Sequence, residues 1–416
     1  MRLNGIFKDN IVFQRDEQIR VFGVENNAVS VLARILDGDE ILSEGIADDG
    51  DNLKEDGSFV IELDALPAGG PYTLWVDSQV DEITIHNVYI GEVWIAGGQS
   101  NMEYPLGRAG SARTDVPACP DTAIHFYKVP VVDRCDSETL KAENATSWDV
   151  ITKDTCYDMS AVAFYFARKL EDVLNGNAKD AGDKNIHIGI IGCYLGGTSV
   201  TCWQSVNNLE KSEEGRKFIA DYKADSSVYA SYDEYLKAEK DYEDKAGIYE
   251  GKVAEVLKKD RFLTYCDTEL ITGGGPWPPP KGPESVRRPG ALFEGMVRRI
   301  VPMAVRGVIF YQGEEDTERY SREYGVLFKS MIDEWRDLFR EEKLPFIYCQ
   351  LPEFEPEDDV NWPELRRQQK RISEEVPCAY MADLTGCGEV GNVHPSQKKI
   401  PGERLAKLAV RFVYGL

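Results

Sequence analysis

The chain has 416 residues, enough for two or three domains, and its 42% hydrophobic residues suffice for ordinary buried cores. Against 48 basic residues stand 72 acidic ones, and the formal charge of −24 repels phosphate backbones and anionic membranes, which argues against nucleic acid or a membrane as a partner. The N-terminal MRLNGIFKDN lacks the basic and apolar regions of a signal peptide, no apolar run approaches the ~18–20 residues that cross a bilayer, and nine scattered cysteines without a C-x-x-C pair suit reduced thiols, so a cytoplasmic protein is expected. Had a leader been removed and the protein exported, Cys119 with Cys135, or Cys378 with Cys387, would be available to pair.

Residues 1–88 read as an all-β module. The runs IVFQ, IRVFGV, SVLARIL, SFVIELDAL, YTLWV and EITIHNVYI are rich in Val, Ile, Tyr and Phe and are separated by Asp, Asn, Gly and Pro, with Pro67-Ala-Gly-Gly-Pro71 as a turn. A small sandwich packed on the next domain is expected, with His86 as a packing residue. From Val88 onward strands alternate with helical stretches, the pattern of a parallel sheet covered on both faces. Glu92–Ala96 is its first strand and Gly97-Gly98 a sharp turn; Ser160–Leu174 has a helical period. IHIGIIG is a buried strand, and Gly196-Gly197 marks a second tight turn before Thr198 and Ser199. Residues 207–289 interrupt the alternation with a charged helical segment, Ser212–Arg261, expected as a surface hairpin, and then the irregular TGGGPWPPPKGP, which is either a rigid connector or the border of a cleft. Strand Val305–Tyr311 then leads into Gln312-Gly-Glu-Glu-Asp316, followed by helix Tyr324–Phe339, strand PFIYCQL, helix Trp362–Ile372 and strand Tyr380–Leu384. The loop TGCGEVGNVHPSQK precedes a final helix entered at Pro401.

The chemistry gathers where these strands end. Ser100 follows a strand and a Gly-Gly turn between Gln99 and Asn101, at the carboxyl edge where open α/β sheets hold their sites, although Met102 rules out the G-x-S-x-G elbow. A serine hydroxyl needs a base, and the chain has four histidines: His86, His125, His187 and His394. His394 alone lies in a Gly/Asn/Pro-bounded loop after the last strand. Acyl transfer also needs donors for an oxyanion, and the backbone of Ser100, the Gly196-Gly197 turn and the Gln312 amide are the candidates.

The segments GEVWIAGGQSNMEYPL, GIIGCYLGGTSVTCW, VRGVIFYQGEED and GNVHPSQK, in this order and spacing, resemble the signature segments of the sialate O-acetylesterase family, a carbohydrate acetylesterase branch of the SGNH hydrolases. NGIFKDNIVFQRD and LPAGGPYTLWV extend the resemblance into the N-terminal module, leaving out the insertion around 207–289. The resemblance implies an SGNH-like three-layer α/β domain over 89–416 behind a β-sandwich-like domain over 1–88, and hydrolysis of sugar O-acetyl esters with no metal or organic cofactor. By position, Ser100 is then the nucleophile and His394 the base, with Ser100 N–H, Gly196, Gly197 and Gln312 at the oxyanion and Gln99 and Asn101 beside the substrate. Asp316 stands where relatives often carry Asn and receives no donor role, and Thr201-Cys202 precedes Trp203 where relatives often carry an acidic residue. Many SGNH enzymes carry Asp three residues before the histidine; here that residue is Gly391, so His394 is left to a main-chain carbonyl, Glu389 or Asp383. The expected partner is an acetylated sugar, sialic acid or a plant oligosaccharide, with Tyr104–Arg113 and Trp277-Pro-Pro-Pro setting specificity and Trp277 able to stack on a sugar. A homo-oligomer stays open. The rival readings are a carbohydrate-binding protein with a decayed site and a general short-chain esterase.

Overall fold

Seventeen residues, Glu82–Gly98, form one strand, β8, whose character changes along its length. Its first half is mostly solvated, with Ile85, Val88 and Ile90 turned inward; its second half is buried throughout, as a strand covered on both faces must be. The computed structural model describes residues 1–48, 52–132, 137–176, 185–354 and 361–416. EITIHNVYI and Glu92–Ala96, expected as two strands, are thus one, and it runs straight through residue 88.

Before β8 come β1 (Arg2–Leu3), β2 (Val12–Gln14), β3 (Ile19–Val24), β4 (Ser30–Asp37), β5 (Glu40–Asp48), β6 (Ser58–Leu63) and β7 (Gly69–Asp77). β1, β3 and β6 form a small sheet, and β5, β4 and β7 pair antiparallel in sequence onto the first half of β8. The two sheets meet closely: a Cβ on Gly45 of β5 would lie 2.4 Å from the carbonyl oxygen of Glu62 on β6. His86, expected to pack, instead lies exposed on the solvated stretch of β8.

After β8 come β9 (Ile124–Lys128), β10 (Trp148–Val150), β11 (Ile188–Tyr194), β12 (Gly307–Tyr311), β13 (Phe346–Cys349) and β14 (Ala379–Ala382). They are ordered β10-β9-β11-β8-β12-β13-β14. All pairings are parallel except that of the edge strand β10, so the expected α/β class holds, but the sheet as a whole is mixed, not purely parallel. The chain first fills one side of β8, laying down β9 and β10 before β11 enters between β9 and β8, and then builds outward on the other side, which makes the carboxyl end of β8 a point where the winding reverses. Gly98, Tyr194 and Tyr311 stand in register there, so the loops after β8, β11 and β12 open from one edge.

Helices Ala161–Gly176 and Lys399–Phe412 pack on one another, and Tyr324–Phe339 packs with Asn361–Glu375. Pro401 sits in the first turn of its helix, where a missing N–H costs nothing. The charged insertion holds helices Glu213–Ser226, Tyr232–Lys259 and Tyr265–Thr272; the middle one buries only Tyr235, in keeping with its even spread of Lys, Glu and Asp. Glu92, fully buried in β8, binds the halves together. It accepts from Arg15 Nε at 2.5 Å, from Arg306 Nε at 3.0 Å and from the Tyr414 hydroxyl at 2.9 Å. Cys378 and Cys387 are free thiols, and Cys119 is free as well; Cys135 lies outside the described residues.

Candidate active site

The turn after β8 depends on glycine. Gly98 has φ +131°, and a Cβ there would meet the Tyr311 carbonyl oxygen at 2.1 Å. That close approach lets Gln99 N–H donate to Tyr311 O at 3.0 Å and Leu195 N–H donate to Gly98 O at 3.1 Å, joining three strand exits. The short helical turn Ser100–Glu103 then begins, with Ser100 at its open end.

His394 comes from the loop after β14, 294 residues along the chain, and its Nε2 lies 2.8 Å from Ser100 Oγ. Burial and the nearby Lys398 charge lower its pKa to about 4, so at neutral pH the imidazole is unprotonated and able to accept the serine proton. The loop is shaped by Glu389, which accepts from Ser396 N–H at 2.7 Å, Ser396 Oγ at 2.8 Å and Asn392 Nδ2 at 2.7 Å, while Asn392 Oδ1 accepts from His394 N–H at 2.9 Å. Neither expected orienting carboxylate reaches the imidazole. Glu389 is spent on its own loop and Asp383 accepts from Thr385 N–H at 2.7 Å. Among the described residues His394 Nδ1 has no hydrogen-bond partner, so no main-chain carbonyl takes that role either.

Asn101 holds the loop instead. Fully buried, it donates through Nδ2 to Val393 O at 3.0 Å and to Glu314, while its Oδ1 accepts from Lys398 Nζ. Lys398 is itself 1% exposed and lies over the rings of Tyr104 and Tyr311; burial lowers its pKa to about 7, against the raising influence of Glu314, Cys349 and Glu389. Burial raises the Glu314 carboxyl. Asn101 therefore lies behind the cavity wall and ties the segment bearing Ser100 to the residue before His394.

The candidate oxyanion donors divide. Gly196 N–H donates to Glu103 Oε2 at 2.8 Å. Gln312 is 1% exposed and donates to Thr198 O at 3.0 Å and Asp316 Oδ2 at 2.6 Å, with the Gln99 carboxamide 3.2 Å away. Both are committed elsewhere, and Gln312 does not line the cavity. Ser100 N–H and Gly197 N–H have no acceptor among the described residues. Asp316 also accepts from Ser199 Oγ at 2.5 Å and Val200 N–H at 2.9 Å, and burial raises its pKa to about 6; it fastens the Gly196-Gly197 turn to the loop after β12.

A cavity of about 580 Å³ opens over Ser100 and His394, floored by Gln99, Gly196 and Gly197. The insertion supplies part of its wall. Trp277 lies so close to Gly197 that a Cβ there would fall 2.0 Å from Cη2, and Arg287 donates to Gly197 O at 3.1 Å and Gly196 O at 3.0 Å. Tyr265 stands edge-on to His394 at 6.2 Å, beneath the Arg108 guanidinium. Lys398, Glu103 and Arg287 were not singled out from the sequence. Lys398 and Arg287 each sit in a Lys-Lys or Arg-Arg pair that reads as solvated surface, whereas Glu103, one helical turn after Ser100, carried a spacing signal. Among the described residues no cluster of three or more His, Cys, Asp or Glu is arranged to hold a metal ion.

Residues 280–411, which include Gln312, His394 and Lys398, match the family model of carbohydrate esterase, sialic acid-specific acetylesterase. The chain is 22% identical to the sialate O-acetylesterase of Mus musculus over 95% of this chain and 70% of that protein, and 22% identical to that of Homo sapiens over 86% and 61%. It thus spans roughly two thirds of the length of these relatives. A solved carbohydrate acetylesterase from Xanthomonas citri shares the fold, with a TM-score of 0.71 and 24% identity over all of this chain and 76% of that one. The resemblance carried by the four segments is borne out.

Proposed function

We propose that this chain, a relative of the sialate O-acetylesterases, hydrolyses O-acetyl esters of carbohydrates through an acetyl-enzyme on Ser100. The observation that carries the reading is the 2.8 Å contact between Ser100 Oγ and His394 Nε2 at the floor of a cavity. Ser100 Oγ attacks the ester carbonyl while His394 Nε2 takes its proton. The carbonyl electron pair moves to oxygen, where the N–H groups of Ser100 and Gly197 stabilise the oxyanion. Collapse expels the sugar oxygen, which takes the proton from His394 and leaves acetyl on Ser100. A water molecule then gives its proton to His394 and attacks the acetyl carbon; Ser100 leaves with that proton, and acetate departs.

Asn101 serves as a positioning residue in this scheme, holding Val393 so that the imidazole faces Ser100. The division into a sandwich-like module over 1–88 and an SGNH-like esterase domain over 89–416 is supported by the switch from antiparallel to parallel pairing along β8.

The test is acetate release from O-acetylated sugars, including 9-O-acetyl sialic acid and acetylated xylo-oligosaccharides, by wild type and Ser100→Ala. Loss of release in the variant supports the reading, and unchanged release removes Ser100 from it. That His394 Nδ1 has no partner among the described residues favours one second reading, a carbohydrate-binding protein whose site has lost its chemistry. Glycan binding with no acetate release from any ester is its signature.

A further inference from the structure

Resting on the esterase reading, we infer that the substrate is an acetylated oligosaccharide, and that Trp277 with Pro278–Pro280 forms a second sugar subsite beside the one over Ser100. The cavity over Ser100 does not end at Trp277. A second cavity of about 250 Å³ adjoins it, lined by Pro278, Pro279, Pro280 and Tyr320, and the two share Gly197, Trp277, Arg287 and Glu315. Ser100 and His394 line only the first, so the second leads away from the reacting atoms. A single acetylated sugar seated with its ester at Ser100 leaves that space unused, whereas a chain continues into it.

The shared wall suits a sugar ring. Trp277 is 56% exposed although it stands at the mouth of a cavity, an exposed apolar surface that needs a partner to leave water. The C–H face of a pyranose is such a partner, and the hydroxyls around its rim need polar groups, which Glu315 and Arg319 supply. The indole is held before any ligand arrives. One edge abuts Gly197, and the Arg287 guanidinium lies 5.5 Å from its centroid while bonding the carbonyls of the oxyanion turn. The flanking segment is pinned at both ends, by the Tyr242 hydroxyl donating to Pro276 O at 3.3 Å and by Lys281 bonding Asp225 at 2.8 Å. A preorganised aromatic platform of this kind loses little conformational freedom on binding.

The experiment compares kcat/KM on an acetylated monosaccharide and on acetylated xylo-oligosaccharides of two to four units, for wild type, Trp277→Ala and Trp277→Phe, with thermal melting to confirm folding. The expected result is a wild-type gain of roughly tenfold from one unit to three, in the range set by one stacked ring. That ratio collapses toward one in Trp277→Ala, mainly through KM, and is partly kept in Trp277→Phe. A wild-type ratio near one, or a ratio unchanged in Trp277→Ala, overturns the inference. If no ester is hydrolysed at all, the esterase reading fails, and calorimetric binding of xylo-oligosaccharides to the same three proteins then decides the subsite alone. Affinity rising with length and lost in Trp277→Ala sustains it; affinity independent of either overturns it.

Discussion

Two histidine sites occupy opposite edges of the central sheet and share almost every property except function. At the amino ends of β9 and β11, His125 Nε2 and His187 Nδ1 lie 2.8 Å apart, His125 Nδ1 lies 2.8 Å from Asn10 O, and Tyr89 stacks on His187 at 3.9 Å. At the carboxyl end of β8, His394 lies 2.8 Å from Ser100. Burial lowers all three pKa values, to about 3 for His125 and about 4 for His187 and His394. What differs is what each imidazole faces. The first pair faces a backbone carbonyl, another imidazole and an aromatic ring, and it joins the N-terminal module to the sheet. His394 faces a hydroxyl at the floor of a cavity, beside N–H groups with no acceptor. A depressed histidine pKa therefore reports burial, and geometry decides whether the neutral ring does chemistry.

The sharpest way to break this comparison is to substitute both sites. Ser100→Ala and His394→Ala are expected to lower kcat for acetate release by about 10⁴ or more, and the double variant by little beyond either single one, because the two act as a unit. His125→Gln together with His187→Gln is expected to leave that rate within a few-fold of wild type and to cost stability, of order 1–3 kcal/mol, through the buried bonds it disturbs. Steady-state kinetics and denaturant melts of the two sets check both halves. If the amino-edge pair also abolished turnover, the distinction drawn above would be wrong.

A smaller effect tests how His394 is aimed. Asn101→Ala removes the tether to Val393 O and is expected to lower kcat about 10²-fold with little change in KM, the cost of a misplaced base. Asn101→Asp keeps the size but replaces the donor to Val393 O, so it is not expected to rescue.

Smaller still are the pH effects. The proposed mechanism uses neutral His394, so kcat/KM should fall only as pH drops through about 4. The Lys398 charge adds to burial in disfavouring the imidazolium, and Lys398→Met is therefore expected to move that acid limb upward. The titratable groups around Lys398 include Glu314, Glu389, Cys349, His394, Tyr104 and Tyr311, and the pH–rate profile of the variant reads their joint response. At the other site the sign of the stability effect follows from the same shift. His125 and His187 have folded pKa values below the unfolded one near 6.5, so their stabilising contribution is complete above that pH. It is lost as pH falls toward 4 and 3, at about 1.4 kcal/mol per pH unit for each ring. The double Gln variant should flatten that acid dependence of Tm.

The sequence made Ser100 and His394 legible for plain reasons: glycine is the residue that allows the close turn at Gly98, and four histidines leave few bases to choose from. The donors around them were less legible. Gln312 sits at a strand exit as expected, but Asp316, four residues on, captures its amide, and Glu103 likewise captures Gly196 N–H. Glu389 was near His394 in sequence, yet its loop closes on Ser396 and Asn392 and so turns the carboxylate away from the ring. Lys398 looked like one of two solvated lysines until the packing of Tyr104, Tyr311 and Asn101 enclosed it. The unity of β8 was hidden because its two halves are patterned differently, partly solvated and then fully buried.

The most direct measurement is peptide mapping after reaction with a fluorophosphonate, alongside residual acetate release. The account predicts one adduct, on the peptide bearing Ser100, formed in proportion to lost activity and absent when His394 is alanine. Activity that vanishes with the adduct on another residue, or that persists with Ser100 fully modified, would contradict it.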